Sequence, residues 1–319
     1  MEGEGVKERI ISTLELDRPA APHLHAGDRV RFVSPSSSPD RTSVARFARI
    51  VEGWGLHVEI GTHAFDKLGF LAGTDDHRAA DLNDALNDSG VRAIFATRGG
   101  KGAYRIAAMI DFDAARRDPK PIVGFSDTTI LHLALWKHCA VGGVHGPDAS
   151  WASDQASAES IAALRKVVMT TEPIVLHSDS RMETAELTTQ GTATGVLIGG
   201  NLDLIATAAG WSLPPLDGAI LFIEDIDKWL GHMDRTLTML VNAGHLRGVR
   251  GVAVGHFTRC MSKGEWTYLD VLRDRLSLLD VPILGGLPIG HDADARTVPI
   301  GGLATLDATA KTLTVGRGV

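Results

Sequence analysis

The stretch Val123-Gly-Phe-Ser-Asp-Thr-Thr129 ends an apolar run at a glycine and opens the next segment with four polar residues. Ser126, Asp127, Thr128 and Thr129 can each satisfy a free N–H in the first turn of a helix, and capping alone accounts for one Ser or Asp there. The same strand–turn–helix geometry also exposes a side chain at a sheet edge and at a helix N-terminus, where backbone N–H groups favour developing negative charge. That is the logic of a nucleophile elbow. The usual Gly-x-Ser-x-Gly pattern is here Gly124-Phe-Ser126-Asp-Thr128, without its second glycine. Ser126 therefore reads both as a cap and as a nucleophile.

A serine nucleophile needs a base, and the base needs an orienting group. Of the 13 histidines, His291 follows an apolar segment and a glycine in Leu-Pro-Ile-Gly-His-Asp, a loop suited to an exposed imidazole. Glu224 closes the apolar run Ala219-Ile-Leu-Phe-Ile, where a carboxylate is costly unless partnered. Taken singly, Glu224 also reads as a helix N-terminal acid and His291 as a loop histidine. Arg98-Gly-Gly-Lys-Gly102 is a glycine-rich turn after a strand, and its N–H groups can approach an oxyanion closely. It matches neither the P-loop nor the dinucleotide fingerprint. Gly199-Gly-Asn-Leu202 is a second such turn. No His pair has helical ligand spacing and the two cysteines, Cys139 and Cys260, form no CxxC, so a metal site is not expected.

The elements that must position these residues follow from periodicity. Strands are expected at Arg29–Val33, Leu56–Ile60, Val91–Ala96 and Ile122–Phe125. Helices are expected at Val44–Trp54, Asp75–Leu86, Tyr104–Ile110 and Thr128–His138. This alternation, with continuous apolar strands, predicts an α/β fold whose parallel sheet is covered on both faces. Ligands bind at the carboxyl ends of such strands. Ser34–Ser38, Arg98–Gly102 and Ser126 all fall at that edge. Further strands are expected at Ala219–Ile223, Val252–Gly255 and Ile283–Leu284, with a hairpin of Leu303–Leu306 and Leu313–Val315.

Composition bounds the function. With 319 residues, 44% of them hydrophobic, the chain can build two domains. Its 32 basic and 39 acidic residues include no basic run, which argues against nucleic-acid binding. The acidic Met1–Arg9 segment is no signal-peptide start, and no stretch approaches the roughly 20 apolar residues needed to span a membrane. Unpaired cysteines fit a reducing compartment, and a cytoplasmic location is expected.

Several segments, in order, resemble the LD-carboxypeptidases, serine peptidases that include muramoyltetrapeptide carboxypeptidases and microcin C self-immunity peptidases. They are Leu71–Asn83, Arg98–Ala103, Pro121–Thr129, His145–Pro147, Gly199–Leu202, Ile220–Asp225 and Pro288–His291. The resemblance runs from about Gly27 to Val315. It implies a Rossmann-like N-terminal domain with a parallel sheet, plus a mostly β C-terminal domain, in a homodimer. The implied boundaries are an extension over 1–26, the Rossmann-like domain over 27–148, a linker over 149–185 and the C-terminal domain over 186–319. It further implies Ser126 as nucleophile, Glu224 as acid and His291 as base, with backbone N–H groups of Gly99, Gly100 and Asp127 as oxyanion donors. Arg98, Lys101, Asn201 and Trp211 become candidates for substrate contact. Arg98 and His145–Pro147 lean towards the peptidoglycan branch, and a guanidinium suits a substrate carboxylate. Lys101 and Trp211-Ser212 depart from that branch's usual residues. The implied reaction is hydrolysis, without metal or cofactor, of the L,D amide bond of muramoyl tetrapeptides, releasing D-alanine. The rival readings are an immunity-type peptidase acting on a peptidyl- or aminoacyl-nucleotide, and a non-catalytic binding protein on the same scaffold.

Overall fold

The computed structural model describes residues 21–261 and 264–316. The first sheet is built from parallel strands β1 (Arg29–Val33), β2 (His57–Ile60), β3 (Val91–Ala96), β4 (Ile122–Gly124) and β5 (Gly143–His145). Between them run helices α1 (Arg41–Glu52), α2 (Asp75–Asn87), α3 (Ala103–Ile106), α4 (Phe112–Arg117) and α5 (Thr129–Cys139). Asp40 caps α1 by accepting from the Ser43 N–H, and Val44, Phe47 and Val51 bury one face of that helix. Thr74 caps α2 in the same way through the His77 N–H. Helix α5 is apolar nearly all round because it is covered from both sides, and Ile130, Leu131, Leu133 and Leu135 are fully buried.

The strand order β5-β4-β3-β1-β2 reverses direction between β1 and β3. Such a switch point opens a crevice at the strands' carboxyl ends. Here it brings together the loops after β1 and β3. Ser37 donates its N–H to the Gly99 carbonyl at 3.3 Å, and Lys101 donates its N–H to Ser37 Oγ at 3.2 Å.

The segment expected as a linker is ordered and packed. It contains α6 (Ala149–Asp154), α7 (Ala158–Met169) and β6 (Ile174–His177). Its Ala- and Ser-rich composition lets α6 lie close to α1, where Ser43 Oγ donates to Asp154 and Ser153 Oγ donates to the Ser43 carbonyl. Leu164, Val167 and Val168 of α7 join the core over β1 and β3. Leu24 joins them and donates its N–H to the Val168 carbonyl, so the packed structure begins before Gly27. Residues 1–20 of the expected extension lie outside the described residues.

The remaining elements are β7 (Thr192–Asn201), α8 (Leu202–Ala208), β8 (Ile220–Ile226), α9 (Leu230–Asn242), β9 (Gly251–Thr258), α10 (Tyr268–Leu276), β10 (Ile283–Leu284), β11 (Val298–Ile300), β12 (Leu303–Asp307) and β13 (Thr312–Val315). The second sheet has the order β10-β9-β8-β7-β12-β13-β6. It is parallel from β10 to β7 and antiparallel from β7 to β6. Strand β11 leaves this half of the chain and pairs antiparallel with β5, adding a sixth strand to the first sheet. The two halves also share a core, in which Ile130 and Leu133 of α5 join one cluster with Ile198, Leu202 and Ile205. Strand β7 was not expected, because three glycines weaken its propensity, yet it is the strand that joins the parallel and antiparallel parts.

Arg78 locks the crevice from below. Its side chain is fully buried and donates to the carbonyls of Pro35 and Gly102 and to Asp75. Replacing it with Met should leave those carbonyls unsatisfied and cost about 2–4 kcal/mol. Urea unfolding checks this, and an unchanged midpoint would show that water takes over both carbonyls.

Candidate active site

Ser126 sits just beyond β4 with φ 57°, a left-handed conformation that is strained for a residue with a Cβ. The chain then turns through a single 3-10 turn, Ser126–Thr128, directly into α5. This is the elbow geometry, made without the second glycine. Thr128 occupies that position and is fully buried. Ser126 is only half-buried, while both its neighbours Phe125 and Asp127 are buried.

The turn after β3 presses against the elbow. A Cβ on Gly99 would lie 3.2 Å from Ser126 Cβ, so only glycine fits without displacing the serine. Two buried carboxylates fasten this arrangement. Asp127 accepts the Ala103 N–H at 2.7 Å, which ties the elbow to the start of α3. Burial raises its pKa, opposed by the N–H of Ala103. Asp148 accepts the Gly99 N–H at 2.7 Å through one oxygen and the Trp151 N–H at 2.9 Å through the other. Burial pushes its pKa up to about 6, against those two N–H groups.

The Asp148 bond changes the expected oxyanion set. The Gly99 N–H is committed to Asp148. The Gly100 N–H has no partner among the described residues. The Asp127 N–H lies in the first turn after β4, where helix donors are unsatisfied by the helix itself.

Glu224 comes from the second sheet and His291 from a loop packed against it. Glu224 lies in β8, fully buried, where the register with β9 shifts between Ile223 and Asp225. His291 Nδ1 meets Glu224 Oε2 at 2.7 Å. The loop bearing His291 is held against β9: His256 donates its N–H to the Ile289 carbonyl at 2.8 Å, and Thr258 Oγ1 donates to the His291 carbonyl at 2.9 Å. Gly290, at φ 133°, makes this approach possible, since a Cβ there would lie 3.0 Å from Glu224 Oε2. Burial alone would lower the His291 pKa, but the charge and hydrogen bond of Glu224 outweigh it and the pKa is raised. Burial alone would raise Glu224, and His291 likewise reverses that, holding the carboxylate below its ordinary range.

The two halves meet at Phe125. Its ring centroid is 4.6 Å from that of His291, which places the imidazole beside the residue preceding Ser126. Trp151 closes the other side edge-on, 5.7 Å from His291. Among the described residues neither Ser126 Oγ nor His291 Nε2 has a hydrogen-bond partner. His145 is buried next to them, edge-on to Phe125 and Phe222. Burial drops its pKa to about 3, so it stays neutral.

The other sequence candidates divide. Arg98 and Lys101 are exposed on the rim of the crevice. Arg98 Nη1 donates to the Ser38 carbonyl at 3.2 Å, and no acid among the described residues pairs with either side chain. Asn201 is committed internally. Its oxygen caps α8 through the Leu204 N–H, and its Nδ2 donates to Asp225 Oδ1 at 2.9 Å. Its backbone N–H bonds Thr129 Oγ1 at 3.1 Å, so it braces the two halves instead of facing a substrate. Trp211 does not join the site. Its carbonyl accepts from Lys137 in the last turn of α5, about 12 Å along that helix from the turn that follows Ser126. Sequence reasoning missed Asp148 and Trp151, because the short strand β5 that presents them was not recognised; the His145-Gly-Pro147 motif immediately before Asp148 was the available signal.

Residues 30–146 match the LD-carboxypeptidase N-terminal domain and residues 194–306 match the LD-carboxypeptidase C-terminal domain. A probable murein peptide carboxypeptidase of Bacillus subtilis (strain 168) is 34% identical over 302 residues, spanning 93% of this chain and 94% of the relative. The chain belongs to the LD-carboxypeptidase family. The muramoyltetrapeptide carboxypeptidase structure from Oxalobacter formigenes is similar with a TM-score of 0.80 at 25% identity, covering 90% of this chain and 98% of that one. The microcin C7 self-immunity protein MccF, solved with glutamyl sulfamoyl guanosine, shares the fold with a TM-score of 0.82 at 22% identity, covering 93% and 98%. The fold of this LD-carboxypeptidase is thus the family's two-sheet architecture.

The Glu224–His291 pair predicts a pH profile. A base must be deprotonated to act, so kcat/KM should fall as pH drops through a pKa above the ordinary imidazole value of about 6.5. Glu224→Gln leaves the burial that lowers His291 and removes the charge that raises it. The acid limb should therefore move to lower pH, with kcat reduced by about 10²–10⁴-fold. A limb that stays in place in this variant would uncouple the two residues.

Proposed function

We propose that this chain is a serine carboxypeptidase that hydrolyses the L,D amide bond of muramoyl tetrapeptides and releases D-alanine, with Ser126, Glu224 and His291 as its triad. The observation that carries this reading is the buried Glu224–His291 pair set beside a strained serine at a strand–helix elbow. Ser126 Oγ attacks the carbonyl carbon on the L-centre, and its proton passes to His291 Nε2. Glu224 holds the Nδ1–H, fixes the ring and stabilises the imidazolium. The oxyanion is received by the N–H groups of Gly100 and Asp127. On collapse the amide bond breaks and His291 protonates the departing D-alanine amine. Water, deprotonated by His291, then releases the acyl group and restores Ser126.

Arg98 favours a substrate with a free terminal carboxylate. Its guanidinium lies on the rim beside the Gly99–Gly100 turn with a backbone carbonyl as its partner and, among the described residues, no paired acid. Lys101 stands next to it and adds to the positive rim. A homodimer in the cytoplasm, the form implied by the family resemblance, completes the proposal. The likeness to MccF gives a second substrate class, an aminoacyl sulfamoyl nucleoside, for the same triad.

One assay separates these readings. Wild type, Ser126→Ala and Arg98→Met are offered a muramoyl tetrapeptide, its C-terminal amide and an aminoacyl sulfamoyl adenosine at equal concentration. D-Alanine release from the free acid is expected with wild type alone at full rate. Ser126→Ala should retain no more than the residue of rate that binding and oxyanion contacts supply. Amidation of the substrate and Arg98→Met should each cost on the order of 2–5 kcal/mol in kcat/KM, and together little more than either. Cleavage of the adenosine compound without hydrolysis of the tetrapeptide would overturn the carboxypeptidase reading. Near-normal turnover by folded Ser126→Ala would overturn the serine mechanism.

A further inference from the structure

A second cluster of chemistry-bearing side chains lies away from the triad, where the loop after β2 folds back on the first turn of α2. His63 Nδ1 and His77 Nδ1 both point at one oxygen of Asp66, at 3.1 and 2.8 Å. The donor atoms of the three residues lie within 4.8 Å of one another. The imidazoles are stacked, with centroids 3.9 Å apart and planes at 22°. Sequence spacing gives no hint of this, because the three residues are spread over a loop and a helix and match no conventional ligand motif.

We infer that His63, Asp66 and His77 form a binding site for a divalent transition metal of the zinc class, one that braces the loop after β2 and takes no part in the peptidase chemistry. Two neutral imidazoles and a carboxylate are a donor set suited to zinc. With metal–nitrogen and metal–oxygen bonds near 2.0–2.2 Å, neighbouring donors in a tetrahedral shell stand about 3.3 Å apart. The observed Nδ1–oxygen separations need to change by half an ångström or less to match. Binding through Nδ1 leaves the proton on Nε2, and neither His63 Nε2 nor His77 Nε2 has a partner among the described residues. The side chains are 30%, 40% and 47% exposed for His63, Asp66 and His77, so an ion can enter and water can complete the shell.

The donors are held before any ion arrives. The His63 N–H is fixed by Asp81 of α2 at 2.9 Å. The Asp66 N–H is fixed by the His63 carbonyl at 3.0 Å. His77 is anchored by the Thr74 cap at 3.2 Å. A bound ion would therefore staple the 61–73 loop to α2. That loop delivers the Ala72 N–H to the Ser36 carbonyl at 2.9 Å, and α2 delivers Arg78 to Pro35 and Gly102. The staple would stiffen the wall of the crevice at one remove from Ser126.

The test uses the untagged full-length chain, stripped with EDTA and titrated with zinc chloride in a calorimeter, with magnesium chloride as the control. Zinc should bind at one equivalent per chain and magnesium should give no saturable heat. His77→Gln, His63→Gln and Asp66→Asn should each weaken zinc binding by roughly tenfold or more, with unchanged circular dichroism. Zinc should raise the melting temperature of wild type and not of His77→Gln. A readout independent of variants is the ¹⁵N spectrum of histidine-labelled wild type, in which zinc should shift the Nδ1 signals of two histidines and leave their Nε2 protonated. Absence of saturable zinc heat, full-strength binding in His77→Gln and Asp66→Asn, or unmoved histidine Nδ1 signals would each overturn the site.

Discussion

The structure is organised around one buried ion pair. Glu224 is a fully buried carboxylate in β8, and His291 is its partner at 2.7 Å. Removing either partner of such a pair typically costs about 3–5 kcal/mol, because an uncompensated charge stays behind. The surrounding backbone is shaped to keep the pair closed. The register shift between β8 and β9, the left-handed Gly290 and the bonds from His256 and Thr258 all bring the His291 loop down onto β8. The same pairing that stabilises the fold also fixes the orientation of the imidazole.

The other half of the chain brings Ser126 towards this pair. Ser126 follows the fourth strand of the first sheet, whereas Glu224 lies in the second sheet and His291 in a loop packed against it. Their alignment depends on the rigidity of the junction. Three connections supply that rigidity: the shared apolar core of α5, β7 and α8, the strand β11 paired with β5, and the Asn201–Thr129 bond. Within the first sheet, Asp127 and Asp148 hold the elbow and the Gly99–Gly100 turn in a fixed relation through backbone N–H groups. Acidic side chains here act as scaffolding for the backbone around Ser126.

Much of the first half was legible in the sequence. Apolar runs of five or six residues ended by polar or glycine-rich loops gave β1 and β3 to the residue, and the amphipathic stripe Ala79, Ala80, Leu82 and Leu86 gave α2. In the structure Ala79, Leu82 and Leu86 are buried and Ala80 faces out. Ser126, Glu224 and His291 stood out as candidates because each breaks an apolar segment at its end, and the fold brings Glu224 and His291 into contact. The rest was hidden for physical reasons. Strand β5 has three residues, too few for a period. Strand β7 carries glycines where β8 and α5 approach closely. The 149–185 segment packs through small residues that read as linker. Asp148 caps a helix through the Trp151 N–H; its second bond, to Gly99, links residues far apart in sequence and only the fold reveals it.

The central claim is that a serine in one sheet is activated by a base from the other. The most direct measurement is stoichiometric labelling with a fluorophosphonate, followed by intact-mass analysis and peptide mapping of wild type and His291→Ala. The account predicts one label per wild-type chain, on the peptide containing Ser126, and a labelling rate in His291→Ala lower by about 10²-fold or more. A label on a different residue, or equal labelling rates in the two proteins, would contradict it.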